Sequence, residues 1–162
     1  MNAKALLTVL FALAASFGIT SPAFSQQSPP QSDKASQIVA LVEKAAGLVE
    51  SKGKSAFTEL RKRSSPLLGG NTPLFVGDMS GVLLLNAGFP KLEGSRILDI
   101  EDSDGKRIYV AFMQMAQSNG SGWVDYMWPK PGQNQPSQKW TYVKAVRLDG
   151  TPAYVGAGFY PD

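Results

Sequence analysis

The stretch GSGWVDYMWPKPGQNQPSQKWTYVKAVRLDGTPAYVGAGFY, residues 120–160, decides the fold of this chain. Aromatic and β-branched residues dominate the runs 123–128, 139–148 and 153–160, so each run predicts a strand. A polar loop rich in proline, glycine and glutamine separates the first two runs, and Asp149–Pro152 predicts a turn between the last two. Strands joined by such short connections indicate an antiparallel sheet.

The hydrophobic period changes upstream of this stretch. Residues 105–117 carry apolar side chains at helical spacing, and Gly120 follows them as a stop signal. Leu74–Val76 and Val82–Leu85 predict a short hairpin around the turn Asp78–Gly81. Two more strands and a helix therefore precede the C-terminal strands.

A long helix is predicted to begin at Ser32 or Asp33, since either residue can cap its first turn. The apolar positions of this helix follow the spacing of one helical face: Ile38, Leu41, Val42, Ala45, Leu48 and Val49. Gly53 predicts its end, a second helical segment covers Ser55–Arg63, and 64–72 reads as a loop. The order of elements predicts one α+β domain of the PAS kind over residues 32–162, with five mostly antiparallel strands.

The composition excludes many kinds of chemistry. The 162 residues contain 43% hydrophobic side chains, which is enough for one domain with a real core, but no cysteine and no histidine. Thiolate nucleophiles, Ser–His–Asp triads and cysteine- or histidine-ligated metals are therefore excluded. No paired carboxylates at a defined spacing are visible, so we expect a protein that is not an enzyme. The net charge of +3 comes without a long basic run, so we expect no nucleic-acid partner.

The first residues predict a signal peptide. Lys4 provides a positive start, Ala5–Ile19 is almost continuously apolar, and Ala23-Phe24-Ser25 fits a cleavage site after Ser25. The apolar run is shorter than the about 20 residues that span a bilayer, which favours cleavage over an uncleaved anchor. Residues 26–31 then form a flexible leader, and the mature product is expected to be periplasmic or secreted.

Two short motifs are weaker than they first look. Asp102-Ser103-Asp104-Gly105 resembles part of a calcium loop, but Ile100 and Ala111 occupy positions where such a loop needs ligands, so a turn capping the following helix is favoured. Gly156-Ala157-Gly158 lies inside a strand, where glycine more often allows a close approach than binds a dinucleotide. We therefore expect neither a metal nor a cofactor.

A group of aromatic residues around one lysine is the most informative candidate site. Tyr126 and Trp128 share one face of their strand, whereas Lys139 and Tyr142 lie on opposite faces of the next strand unless a bulge intervenes. Aromatic side chains with one or two cationic or hydroxyl groups are typical of a small-molecule pocket. The alternative is core packing of these aromatic residues, with Lys139 reaching solvent.

The C-terminal residues resemble a known family. The ordered set consists of Gly122-Trp123-Val124-Asp125-Tyr126, Trp128-Pro129, Pro131, Lys139, Thr141-Tyr142-Val143-Lys144 and Val155-Gly156-Ala157-Gly158-Phe159-Tyr160. Together with Asp104-Gly105-Lys106 it resembles the single Cache domain, an extracytoplasmic PAS-like sensor module of bacteria. The resemblance implies a long N-terminal helix packed on a curved five-stranded antiparallel sheet, with a small-molecule cavity on the concave side. Similar domains often have a histidine after the second strand, where this chain has Asn86.

The resemblance also implies which residues line the pocket. They are Tyr126, Trp128, Lys139 and Tyr142, with Arg107, Phe75 and Met113 as weaker candidates. The lysine would pair with a ligand carboxylate, the tyrosine hydroxyls would donate hydrogen bonds, and Trp128 would stack on the apolar part of the ligand.

The leading hypothesis is an exported sensor-type protein that binds a small organic anion, such as a short carboxylate or an amino acid. The bound complex would act in extracytoplasmic signalling through a membrane receptor or kinase partner. The alternative is a structural or interaction domain with a vestigial pocket, whose N-terminal helix pairs with a partner or with a second copy in a homodimer.

Overall fold

Three helices and five strands make up the part of the chain that the computed structural model describes, residues 28–63 and 73–161. In chain order they are α1 (Asp33–Lys52), α2 (Phe57–Arg63), β1 (Phe75–Asp78), β2 (Leu83–Asn86), α3 (Ile108–Asn119), β3 (Ser121–Pro129), β4 (Pro136–Leu148) and β5 (Thr151–Phe159). A short 3₁₀ turn, Gly53–Ala56, joins α1 to α2. The predicted signal peptide and the predicted loop at 64–72 lie outside the described residues.

The two ends of α1 are where the sequence predicted them. The Ser32 hydroxyl accepts a hydrogen bond from the Ala35 N–H at 3.1 Å, which satisfies one of the free donors of the first turn. Gly53 ends the helix with φ 57, a conformation that a side chain disfavours. The predicted cap and the predicted stop are both confirmed.

All five strands form one antiparallel sheet in the order β2-β1-β5-β4-β3. The tight connection between β4 and β5 uses Asp149 (φ 50) and Gly150 (φ 83), two residue types that tolerate the left-handed conformation of a hairpin turn. Because β5 pairs with β1 on one side and with β4 on the other, the last strand in the sequence is the central strand of the sheet.

Side-chain alternation gives this sheet two different apolar faces. We call them the α1 face and the α3 face, after the helix that packs on each. The α1 face carries Val146, Val155 and Ala157 against the apolar side of α1. The α3 face carries aromatic residues from three strands, among them Tyr126 of β3, together with aliphatic residues, against α3. The predicted architecture of a long helix on a five-stranded antiparallel sheet is confirmed.

The helix α3 begins at Ile108, later than the predicted start at residue 105, because the preceding residues form a turn around Asp102. The Asp102 carboxylate accepts hydrogen bonds from the N–H groups of Asp104 at 2.9 Å, Lys106 at 2.8 Å and Met127 at 3.0 Å. Burial raises the pKa of Asp102, but these three N–H donors outweigh burial, so that its pKa is lowered overall.

The turn around Asp102 therefore ties the loop to β3. The sequence had suggested that this turn caps α3, and the structure shows that it does not. The residue at the cap position is Arg107, and its side chain makes no hydrogen bond to the helix. Within residues 28–63 and 73–161, no group of three or more acidic side chains is arranged to hold a metal ion.

Candidate functional site

Lys139 lies on the α3 face between two tyrosine rings. It pairs directly with Tyr126 across β3 and β4, and its Nζ lies 6.0 Å from the centre of the Tyr126 ring. Its Nζ also lies 5.0 Å from the centre of the Tyr160 ring. Trp128 lies two residues further along β3, with its ring 6.3 Å from that of Tyr126. Tyr126, Trp128 and Lys139, three of the predicted pocket residues, are therefore brought together.

Tyr160 is part of this group, although sequence reasoning did not select it. The pairing of Trp140 with Phe159 places the residue after Phe159 next to Lys139. The Tyr160 hydroxyl donates a hydrogen bond to the Pro129 carbonyl at 2.6 Å, which fixes the ring over the lysine. Tyr160 belongs to the resemblance motif, but only the register of β4 and β5 shows that it lies beside Lys139.

Glycine at 158 leaves room for the lysine side chain. A Cβ atom there would collide with the Thr141 hydroxyl oxygen and would lie 2.8 Å from the Trp140 carbonyl oxygen and 3.2 Å from Lys139 Cε. A Cβ on Gly156 would collide with the ring of Phe75 in the same way. The sequence predicts that these strand glycines let a backbone or a ligand approach closely; in the structure the nearest atoms at both positions belong to side chains, with the Trp140 carbonyl also close at Gly158.

The ammonium group of Lys139 has no carboxylate partner among the described residues. The lysine is half-buried, and burial lowers its pKa to about 8. The neighbouring Tyr126 is buried, its hydroxyl shares a hydrogen bond of 3.0 Å with Thr141 Oγ1, and burial raises its pKa. Lys139 is therefore a cation without a carboxylate partner among the described residues, surrounded by aromatic rings and hydroxyl groups, which suits an anion with a small apolar part.

Two weaker candidates also lie on the α3 face. Phe75 is buried at the centre of an aromatic cluster, with its ring 5.4 Å from that of Phe112 and 6.1 Å from that of Tyr109. Met113 is half-buried and packs against the same cluster. Their contact with a ligand stays a prediction.

Tyr142 is not part of this group. It lies on the α1 face, where its hydroxyl donates to Glu43 Oε1 at 3.3 Å and its ring packs 5.2 Å from that of Trp123. The regular pairing of β3 with β4 explains this placement, because without a bulge the positions 139 and 142 must face opposite sides. The prediction that Tyr142 lines the same pocket as Lys139 is therefore wrong.

Arg107 lies in ion pairs with the loop that precedes α3. It is exposed at the start of α3, where it pairs with Glu101 at 3.4 Å and Asp99 at 3.9 Å. Its contact with a ligand stays a prediction.

Asn86, the last residue of β2, shapes the loop that follows this strand. It is buried, and its side-chain oxygen accepts hydrogen bonds from the N–H groups of Gly88 at 3.0 Å and Phe89 at 2.9 Å. Glu93 stabilises the following turn. Its carboxylate accepts hydrogen bonds from the Asn86 N–H and from both terminal nitrogens of Arg61. The side chain at position 86 therefore acts on the loop that follows β2.

With the fold and the site described, the family follows from comparison with known proteins. The chain belongs to the Cache domain family, whose model matches residues 32–162. A methyl-accepting chemotaxis protein of Pseudomonas putida, McpP, is 28% identical over 88 residues. That match covers 54% of this chain but only 16% of the receptor, so this chain spans a small part of the length of its curated relative.

Solved structures agree with this assignment. A periplasmic sensor domain of a chemotaxis protein is 30% identical, with a TM-score of 0.67, over 78% of this chain and 94% of that chain. A Cache chemosensory domain described for its recognition of carboxylic acid is 28% identical, with a TM-score of 0.65, over 80% of this chain and 94% of that chain. The relatives are sensor domains of chemoreceptors rather than enzymes. Within the described residues, no helix has the length and apolar character that crossing a membrane requires.

Proposed function

We propose that this chain is an exported Cache sensor domain that binds a small organic anion, a short carboxylate or an amino acid, at Lys139 on the α3 face. The observation that carries the proposal is the half-buried ammonium of Lys139, which has no carboxylate partner among the described residues. Such a group is costly unless an opposite charge joins it, and a ligand carboxylate provides that charge.

The surroundings of Lys139 indicate how the rest of the ligand is held. The rings of Tyr126, Trp128 and Tyr160 offer apolar surface around the cation. Neither α3 nor the α3-face positions of the last three strands carry an acidic residue that could pair with the ammonium of an amino acid. Within the proposed class, a short carboxylate is therefore favoured. A similar Cache domain that recognises carboxylic acid supports this choice.

The wider setting of this function is part of the proposal. Export depends on the signal peptide over residues 1–25, with cleavage after Ser25. The similarity to chemoreceptor sensor domains supports transfer of the binding event to a membrane receptor or kinase partner. A homodimer through α1 remains a prediction.

Isothermal titration of residues 26–162 with acetate and propionate tests the proposal. A sensor domain solved alone, matched over 94% of its own chain, indicates that such a domain folds by itself. We expect saturable binding by the natural sequence and a loss of about 10- to 100-fold in affinity for Lys139→Met, since a hydrogen bond to a charged group contributes about 1.5–3 kcal/mol.

Lys144→Met is the matched control, because Lys144 lies on the same strand but pairs with Glu43 on the α1 face. This control should bind as the natural sequence does. Equal affinities for the two methionine variants, with both proteins folded, would show that Lys139 is not the anion site. A folded protein that binds no small carboxylate or amino acid would favour the interaction-domain alternative.

A further inference from the structure

The turn after β2, residues Phe89–Leu92, places two large apolar side chains in solvent. Phe89 is 61% exposed and Leu92 is 40% exposed, and these two are the exposed large hydrophobic residues of the described ranges. Pro90 and Lys91 lie between them. Exposed apolar side chains that lie together, unlike scattered single ones, point to an interaction surface.

Hydrogen bonds fix the shape of the 89–92 turn. The Leu92 N–H donates to the Phe89 carbonyl at 3.0 Å, and the Asn86 side chain accepts from the Phe89 N–H at 2.9 Å. Beyond the turn, the Glu93 carboxylate accepts hydrogen bonds from both terminal nitrogens of Arg61, at 2.6 and 2.7 Å. The apolar pair is therefore held in place before anything covers it, which keeps the ordering cost of an interaction small.

The sequence around the turn is positively charged. Glu93 is the only acidic residue between positions 79 and 98, and its ion pair with Arg61 neutralises it. Lys91, inside the turn, and Arg96, just beyond it, are exposed and form no ion pair with any residue that the structure describes. The apolar pair thus lies beside two cations without carboxylate partners, which favours a negatively charged surface.

This combination fits a bilayer better than a protein partner. A stable protein interface buries about 1,200–2,000 Å², far more than two side chains provide. Attachment to a membrane surface needs less, because a few apolar side chains enter the boundary between headgroups and acyl chains while basic residues contact anionic headgroups. Lys91 lies between Phe89 and Leu92, so its long stem lets the ammonium reach a headgroup phosphate while both apolar side chains insert.

We propose that Phe89 and Leu92 insert into the surface of a bilayer that contains anionic lipids, with Lys91 and Arg96 pairing with the headgroup phosphates. The turn thereby holds the domain at the membrane. This inference goes beyond the proposed function and does not depend on it, because none of these four residues is among the groups that surround Lys139.

Vesicle flotation of residues 26–162 tests the proposal. The vesicles contain phosphatidylcholine alone or phosphatidylcholine with an equal amount of phosphatidylglycerol. We expect binding to the anionic vesicles that weakens as salt is added, and much weaker binding to the neutral ones. The double variant Phe89→Ala, Leu92→Ala should bind at least about tenfold more weakly, and Lys91→Gln about fivefold more weakly.

Lys54→Gln is the matched control for charge. Lys54 is exposed and its N–H contacts Asp149, in the turn that precedes β5. Because β2 runs in the same direction as β5, that turn lies at the opposite end of the sheet from the 89–92 turn. Lys54→Gln should bind vesicles as the natural sequence does.

A fluorescent label gives a second measurement of insertion. The chain contains no cysteine, so Leu92→Cys and Lys54→Cys each take a single thiol-reactive dye whose emission shifts to the blue in apolar surroundings. Anionic vesicles should shift the emission of the dye at position 92 and leave that at position 54 unchanged.

Several results would overturn the proposal. Equal vesicle binding by the natural sequence and the folded double alanine variant would show attraction by overall charge alone. Loss of vesicle binding in Lys139→Met would assign the headgroup to the anion site instead of the turn. Absence of vesicle binding, with a dimer that the double alanine variant abolishes, would show that a second copy covers the turn. Acetate titration reports on the proposed function separately, and the double alanine variant should bind acetate as the natural sequence does.

Discussion

Lys139 and Lys144 occupy the same strand, β4, and show how differently the two faces of one sheet use a positive charge. Lys144 contacts Glu43 of α1 at 2.6 Å, and this hydrogen bond raises its pKa. Lys139 lies among tyrosine rings without a carboxylate, and burial lowers its pKa to about 8. The α1 face pairs its charge within the fold, whereas Lys139 on the α3 face has no carboxylate partner among the described residues. Under the proposed function, a ligand carboxylate provides that partner.

The largest expected effect is the dependence of the acetate affinity on pH, and it is the strongest test of this comparison between the two faces. Below pH 8 the free protein already carries the Lys139 ammonium, so the affinity for acetate should stay constant. Above pH 8 Lys139 loses this proton in the free protein but keeps it in the complex with a carboxylate. The affinity should therefore fall by up to about tenfold per pH unit. Titration of acetate between pH 6 and pH 10 measures the effect. A constant affinity across that range would contradict the assignment of Lys139 as the partner of the carboxylate.

Gly158→Ala disturbs the packing of the α3 face around Lys139 directly. The new Cβ would collide with Thr141 and crowd Lys139 Cε, so we expect the free energy of unfolding to fall by about 1–3 kcal/mol and acetate binding to weaken. Urea unfolding gives the first quantity and titration gives the second. The control is Gly47→Ala, whose Cβ meets nothing within 4 Å on α1 and should stabilise the protein by about 0.5–1 kcal/mol. A fully stable Gly158→Ala protein with unchanged affinity would contradict the packing described for this site.

Trp128→Ala removes an aromatic wall while leaving the charge in place. The half-buried indole lies 6.3 Å from the Tyr126 ring, and its loss should weaken propionate binding about tenfold, since about 1.4 kcal/mol of contact is lost. Trp123→Ala is the comparison on the same strand. Trp123 packs on the α1 face against Tyr142, so this change should affect stability and leave the affinity as it was. Equal effects of the two changes on affinity would argue against a one-sided site.

Glu43→Gln gives the smallest expected effect. The carboxylate accepts from Lys144 and Tyr142 but is partly exposed, so we expect a loss of about 0.5 kcal/mol in the free energy of unfolding and no change in acetate affinity. Thermal unfolding at low and high salt measures it, because salt screens an exposed pair. A loss of acetate binding in this variant would mean that the α1 face takes part in recognition.

Local rules explain why much of the fold could be predicted. Ser32, Gly53 and Gly120 delimit their helices through hydrogen bonds and backbone conformations that involve only neighbouring residues. The ends of β3 and β4 extend beyond the predicted limits, to Pro129 and Pro136, because pairing between strands continues past the last aromatic residue. Propensity along one strand does not contain that information.

The sequence by itself determined the order of elements, the two helix caps, and the alternation that puts Tyr126 with Trp128 and separates Lys139 from Tyr142. These follow from short-range geometry, because successive residues of a strand face opposite sides. Only the tertiary structure decided that Tyr160 covers Lys139 and that Arg107 pairs with Asp99 and Glu101. It also decided that Glu43 reaches Lys144, whereas no carboxylate reaches Lys139 among the described residues. The partners of Lys139 and Lys144 come from distant parts of the chain, so the charge state and role of each lysine depend on register and packing that no local pattern specifies.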